Sequence, residues 1–138
     1  MNSQIDPPRL SERETVIGNL ERGNIITRFY VKKKPEKRMM AVRRETNLVV
    51  WYKASLNRNN YEGSVDIREI KEVRKTKTSR EFDRWLSSFP EQSKDSHERL
   101  FVIYYGHEFN LKTLSVVALS EKECDDWLKG LEYLMQVS

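Results

Sequence analysis

The stretch Asn24-Ile-Ile-Thr-Arg28-Phe-Tyr-Val-Lys32-Lys33-Lys34-Pro35-Glu36-Lys37-Arg38-Met-Met-Ala-Val42 has two apolar, β-prone arms around a basic, proline-bearing middle. Arms of that kind joined by a turn predict a β-hairpin. Pro35 has no N–H to give to a ladder, so the first strand ends before it. Ammonium groups gathered at the tip repel one another. A functional reading of the cluster therefore needs an anion at the tip, and the alternative is a solvated turn.

On the N-terminal side, Ser11-Glu12-Arg13-Glu14 reads as a capping box, with Val16, Ile17 and Leu20 forming an apolar stripe behind it. Gly23 fits the left-handed residue that ends such a helix. A helix of about ten residues is expected to lead into the first strand and to pack on the outside of the sheet. Residues 1–10, with Pro7 and Pro8, read as a loose tail, which leaves 11–138 as the folded unit.

On the C-terminal side, Glu45-Thr46-Asn47 reads as a turn and residues 48–54 as a strand, with Val49 and Trp51 on one face and Leu48, Val50 and Tyr52 on the other. Residues 55–63 form an Asn- and Ser-rich loop closed by Gly63. Val65 and Ile67 alternate, but Ile67, Ile70 and Val73 step by three, which predicts a bend, a bulge or a short helix near Arg68 and Glu69. Phe82, Trp85 and Leu86 have helical spacing, and residues 87–96 read as a loop. Residues 100–105 form a strand with Phe101 and Ile103 inward, Gly106-His107 a turn, and residues 108–119 one long strand or two in line. The chain ends in a second capping box, Ser120 to Glu123. Behind it Cys124, Trp127, Leu128, Leu131, Leu134 and Met135 recur at steps of three and four.

The fold class expected is mainly β with helices: a seven-stranded β-sandwich or partly open barrel, capped by a C-terminal amphipathic helix and carrying a short N-terminal one. A chain of 138 residues suffices for one such domain. No apolar run approaches a membrane span or a signal core, so the expected setting is cytoplasmic. One cysteine, Cys124, allows no internal disulfide. Charge is unevenly spread behind a net +4: residues 21–80 hold 17 Lys and Arg against 7 Asp and Glu, and residues 81–138 hold 6 against 11. Such a distribution suits docking on anions by one side: lipid, nucleic acid or an acidic protein.

The element order resembles that of pleckstrin homology domains, and Trp127, seven residues after Ser120, matches their hallmark tryptophan. Three longer segments resemble the N-terminal pleckstrin homology domain of the phospholipase C gamma family. They are Gly63-Ser-Val-Asp-Ile-Arg-Glu-Ile-Lys-Glu-Val-Arg74, Lys77-Thr-Ser-Arg-Glu-Phe-Asp-Arg-Trp85 and Ile103-Tyr-Tyr-Gly-His-Glu-Phe-Asn-Leu-Lys-Thr-Leu-Ser115. The resemblance implies a monomeric module that binds phosphoinositides, phosphatidylinositol 3,4,5-trisphosphate above all, and recruits its parent enzyme from the cytoplasm to the inner leaflet of the plasma membrane. It places the headgroup between the first two strands, on Arg28, Lys32, Lys33, Lys34, Lys37 and Arg38. It also implies a chain that is not itself catalytic, the parent's calcium-dependent hydrolase barrel lying elsewhere. Glu36 stands where the tightest binders carry a second basic residue, which implies weaker affinity and broader specificity.

The residues fit phosphate chemistry, since Arg offers a planar fork to a phosphate and Lys a point charge. They fit catalysis poorly. His97 and His107 lack metal-ligand spacing, Cys124 falls on an apolar helix face, and there is no glycine-rich phosphate loop, so no catalytic residue, metal or cofactor is expected. The solvated reading is preferred for Arg43, Arg44 and Lys53. Two other functions are open. Phe29, Tyr30, Trp51 and Tyr52 could stack single-stranded nucleic acid, although charge gathered at a turn argues against a nucleic-acid partner. The Phe82/Trp85/Leu86 segment, if exposed, could dock another domain of the parent.

Overall fold

The basic hairpin forms as its composition requires. In the computed structural model, which describes residues 8–55, 59–88 and 98–138 and their side chains from residue 12 onward, β1 (Asn24–Phe29) pairs antiparallel with β2 (Glu36–Arg43). Asn47, at φ 60, closes the next turn, a left-handed conformation that asparagine tolerates, and β3 (Leu48–Tyr52) follows. β4 (Gly63–Asp66) then runs into a 3-10 turn at Ile67–Glu69 capped by the Asp66 side chain, and β5 (Ile70–Arg74) leaves it. The step-of-three spacing thus marks a short helix, with a register shift between Ile70 and Glu72 beyond it.

β6 (Leu100–His107) and β7 (Asn110–Ala118) complete one antiparallel sheet of seven strands in the order β4-β3-β2-β1-β7-β6-β5. Only the three-residue 3-10 turn separates β4 from β5, so the sheet's two edges are tied together and the sheet curls into the partly open barrel expected. Gly106 and His107 do not form a turn. Gly106 takes φ +117 inside β6, where an added Cβ would come within 2.6 Å of the Asn110 carbonyl oxygen, and the reversal falls on residues 108–109.

Three helices flank the sheet among the described residues: α1 (Pro8–Arg22), α2 (Arg80–Trp85, continued by a 3-10 turn at Leu86–Ser88) and α3 (Glu121–Gln136). α1 begins at Pro8, three residues before Ser11, so Ser11 lies inside the helix and the expected capping box does not start it. Proline suits a first helical turn because its missing N–H would have no partner there. Nor does α1 lie on the outside of the sheet. Ile17 and Leu20 join the main core, and the helix packs on α3 and β2. Residues 1–7 of the expected tail, residues 56–58 and 89–97 of the expected loops, and His97 with them, lie outside the described residues.

Ser120 caps α3, its Oγ accepting from the Glu123 N–H at 3.1 Å. It lays Cys124, Trp127, Leu131 and Leu134 onto a core that includes Ile26, Met40, Val49, Trp51, Phe101, Ile103, Leu114 and Val116. Trp127 is fully buried, its indole stacked on Phe101 with centroids 6.4 Å apart. Asp126, buried, accepts from Lys122 Nζ at 2.9 Å and from Asn19 Nδ2 at 3.2 Å, which ties α3 to α1.

The other face of β1, β7 and β6 is buried too. Phe29, Leu100, Val102 and Val117 form a second core under Phe82 of α2, with Phe29 and Phe82 edge to face at 5.0 Å. A polar latch holds α2 there. Ser79 Oγ caps α2 by accepting from the Phe82 N–H at 3.1 Å and lies 2.7 Å from Ser115 Oγ. The Ser115 hydroxyl donates to Glu81 at 2.8 Å, and the Thr113 hydroxyl donates to the same carboxylate at 2.7 Å. Ser115 is fully buried, and the latch supplies the partners its hydroxyl needs there.

Two outcomes follow. Trp127→Ala should cost roughly 3–5 kcal/mol of stability, because it empties the site of a fully buried tryptophan, read as a shift in the denaturant midpoint. Burial pushes the Cys124 thiol up to about 11. Ellman's reagent should therefore leave the native protein unmodified at pH 8 and titrate one thiol as the protein unfolds.

Candidate functional site

Antiparallel pairing brings the β1–β2 tip, the β3–β4 connection and the β6–β7 tip to one mouth of the barrel. The register decides which side chains meet there. Arg28 lies opposite Glu36 and Ile26 opposite Arg38, so Arg28, Glu36 and Arg38 share a face with Ile26 and Met40. Trp51 pairs with Met40 and joins that face from β3.

Arg28 makes no ion pair with Glu36 or with any other described carboxylate. Its guanidinium lies over two rings instead, 4.5 Å from the Tyr30 centroid and 4.6 Å from that of Trp51, and its buried Nε has no hydrogen-bond partner. Guanidinium is weakly hydrated and stacks well on aromatic faces, which hold it without neutralising its charge. Trp51 reaches it by leaning across Gly63, where an added Cβ would come within 2.4 Å of the indole. Burial raises the Tyr30 phenol, and the charge of Arg28 partly offsets that.

Arg38 is held the opposite way. Its side chain is 11% exposed. Nε donates to Glu62 Oε1 at 2.7 Å, Nη2 to Glu62 Oε2 at 3.2 Å and to Glu36 Oε1 at 2.9 Å, and Nη1 to the Lys37 carbonyl at 2.8 Å. The bond from Arg38 holds the Glu62 carboxyl below its usual range, and Lys53 and Lys33 add to the effect. Glu36 also pairs with Lys33 at 3.3 Å, and Lys33 Nζ lies 4.5 Å from the Tyr30 centroid.

Of the six residues expected to bind a headgroup, the structure gathers Arg28, Lys33 and Arg38 at the mouth. Lys32 and Lys34 are exposed on the tip. Lys37 pairs with Thr27, one position from Arg38, so it projects from the opposite face and does not converge with the two arginines. Glu62 escaped the sequence reading as a site residue, and Tyr30 and Trp51 entered it only as candidates for base stacking, not as supports for Arg28. No local pattern marks Glu62. It reaches Arg38 because its N–H donates to the Trp51 carbonyl at 2.9 Å, which extends the β3–β4 pairing to the mouth.

The other candidates resolve differently. Phe29 and Tyr52 are buried on the face away from Trp51, so the four aromatics considered for base stacking do not form one exposed platform. Phe82 is buried in the second core, with Trp85 and Leu86 half-buried beside it, so the segment is not the free apolar face that docking required. Of the basic residues read as solvated, Arg44 pairs with Glu14 at 3.4 Å, Arg43 lies over the Tyr52 ring at 6.0 Å, and Lys53 is exposed. His107 is exposed, with Nε2 3.8 Å from Glu69, and no cluster of three potential metal ligands occurs among the described residues.

The pleckstrin homology domain family model matches residues 13–136. The human 1-phosphatidylinositol 4,5-bisphosphate phosphodiesterase gamma-2 is 36% identical over 126 residues, and its counterpart from Rattus norvegicus 35% over 126 residues. Each match covers 91% of this chain and 9% of the relative, so the chain spans about a tenth of the curated relatives it matches. Among solved structures, S. officinalis PLC21 is similar at TM-score 0.64 and 11% identity, over 84% of this chain and 15% of that one. The carboxyl-terminal domain of pleckstrin is similar at TM-score 0.58 and 16% identity, over 82% and 94%. Pleckstrin homology domains are non-catalytic modules that commonly bind phosphoinositides or mediate protein interactions. The family match over residues 13–136, together with a fold shared with solved members, makes this chain a member of the pleckstrin homology domain family.

Proposed function

We propose that this domain binds phosphoinositide headgroups at the mouth formed by β1, β2 and the β3–β4 connection, with phosphatidylinositol 3,4,5-trisphosphate the expected ligand. Through it, a phospholipase C gamma enzyme would be drawn to the inner leaflet of the plasma membrane. The observation that carries the reading is Arg28: a partly buried guanidinium, fixed by two rings, with no carboxylate among the described residues to neutralise it. Arg38 lies on the same face. A phosphate bridging the two would offer Arg28 charge-assisted hydrogen bonds and compete with Glu36 and Glu62 for Arg38. That competition supports the expectation, drawn from Glu36, of weaker affinity and broader specificity. Lys32 and Lys34 add attraction of about 1 kcal/mol each beside an anionic leaflet, weakened by salt. The phosphodiesterase name of the relatives supports a parent that hydrolyses phosphatidylinositol 4,5-bisphosphate on another domain.

Arg28→Ala and Arg38→Ala should each weaken co-sedimentation with phosphatidylinositol 3,4,5-trisphosphate vesicles by about five- to tenfold, with both variants still unfolding cooperatively in denaturant. Vesicle binding by the double variant equal to that of the unaltered protein would remove the assignment. Glu36→Gln should strengthen vesicle binding several-fold by removing a negative charge from the mouth and freeing Lys33, while Glu62 still holds Arg38. A loss of affinity would mean instead that Glu36 positions Arg38 for its ligand.

A further inference from the structure

Two of the large apolar side chains that the structure leaves exposed sit together on the β6–β7 hairpin. Phe109 is 96% exposed and Leu111 57%. Phe109 is the second residue of the two-residue turn at 108–109, a place that turns ordinarily fill with Gly, Asn, Asp or Ser. Neither side chain belongs to any of the three apolar clusters.

The position of this hairpin gives the exposure a meaning. Phe29, the last residue of β1, lies opposite Ser115, and β7 begins at Asn110. At roughly 3.4 Å per residue the hairpin therefore runs about 17 Å past that level, on the side toward which β1 enters its lysine-bearing tip. Tyr105, opposite Lys112 on the hairpin, packs against the core that contains Trp51, and β7 pairs with the strand that carries Arg28, which places the hairpin beside the mouth. Lys32, Lys34 and Lys112 are exposed at this end, and none has a carboxylate partner among the described residues.

We infer that the β6–β7 tip is a membrane wedge. Phe109 and Leu111 seat in the interfacial layer of an anionic bilayer while the unpaired lysines lie at the level of its phosphates. Charge selects the bilayer over a protein groove as the occupant, because several unpaired cations around a protruding apolar tip match a broad negative surface over an apolar layer. Glu108 and Asn110 flank Phe109 and limit its depth to the interface, short of the hydrocarbon centre. The inference rests on the lipid reading above, but it adds a contact with the bilayer itself that a soluble headgroup cannot make.

The test compares the unaltered chain with the double variant Phe109→Ser/Leu111→Ser. The probes are phosphatidylcholine/phosphatidylserine vesicles, the same vesicles with phosphatidylinositol 3,4,5-trisphosphate, and soluble inositol 1,3,4,5-tetrakisphosphate. The double variant should lose on the order of tenfold in affinity for both vesicles and keep its affinity for the soluble headgroup and its denaturant midpoint. A polarity-sensitive dye attached through Phe109→Cys, with Cys124 buried and unreactive, should shift to the blue on vesicles. Unchanged vesicle affinity of the double variant, or a dye that stays water-like on vesicles that sediment with the protein, would overturn the wedge alone. A wedge effect with no gain from the phosphoinositide would overturn the headgroup reading and leave the wedge standing. Failure of the unaltered chain to bind either vesicle would overturn both.

Discussion

The mouth of this domain depends on how a cation is held without being neutralised. Tyr30 and Trp51 present ring faces to the Arg28 guanidinium, and such contacts contribute about 0.5–2 kcal/mol while leaving the positive charge available. A carboxylate in the same place would bind it more tightly and cancel it. Arg38 shows that alternative on the same face, where Glu36 and Glu62 occupy most of its fork. One arginine thus keeps its charge unpaired among the described carboxylates and the other is tethered by two of them.

The aromatic support in turn depends on packing far from the charge. Trp51 lies over Gly63 because β3 and β4 are in register there, and its ring also belongs to the main core. That core is completed by α3, whose Trp127 stacks on Phe101. The outer face of β1 is fixed separately, by Phe82 and by the hydroxyl–carboxylate latch of Ser79, Glu81, Thr113 and Ser115. β1, the strand that carries Arg28, is therefore packed on both faces.

Much of this was legible in the chain. The hairpin, the short 3-10 turn among the alternatives at Arg68, α2 and α3 were all marked by signals that act within about four residues: β-prone arms, a change of spacing, caps and apolar periodicity. Two local signals misled. Ser11 and Glu14 form a good capping pattern, but an N-cap contributes only about 1 kcal/mol and a proline-led extra turn prevailed. Gly106 looks like a turn, yet its positive φ serves a close approach to Asn110 inside a strand.

The sequence by itself determined the element types, the cationic character of the β1–β2 tip and the burial of Trp127 and Cys124, because each follows from composition or spacing along one segment. Only the tertiary structure decided that Arg28 stacks on rings, that Glu62 binds an arginine 24 residues away, and that Lys37 projects from the far face. Those outcomes depend on strand register, and a shift of one residue would exchange every side chain between the two faces of the sheet. Register is set by the packing of all seven strands at once, so no single segment carries it.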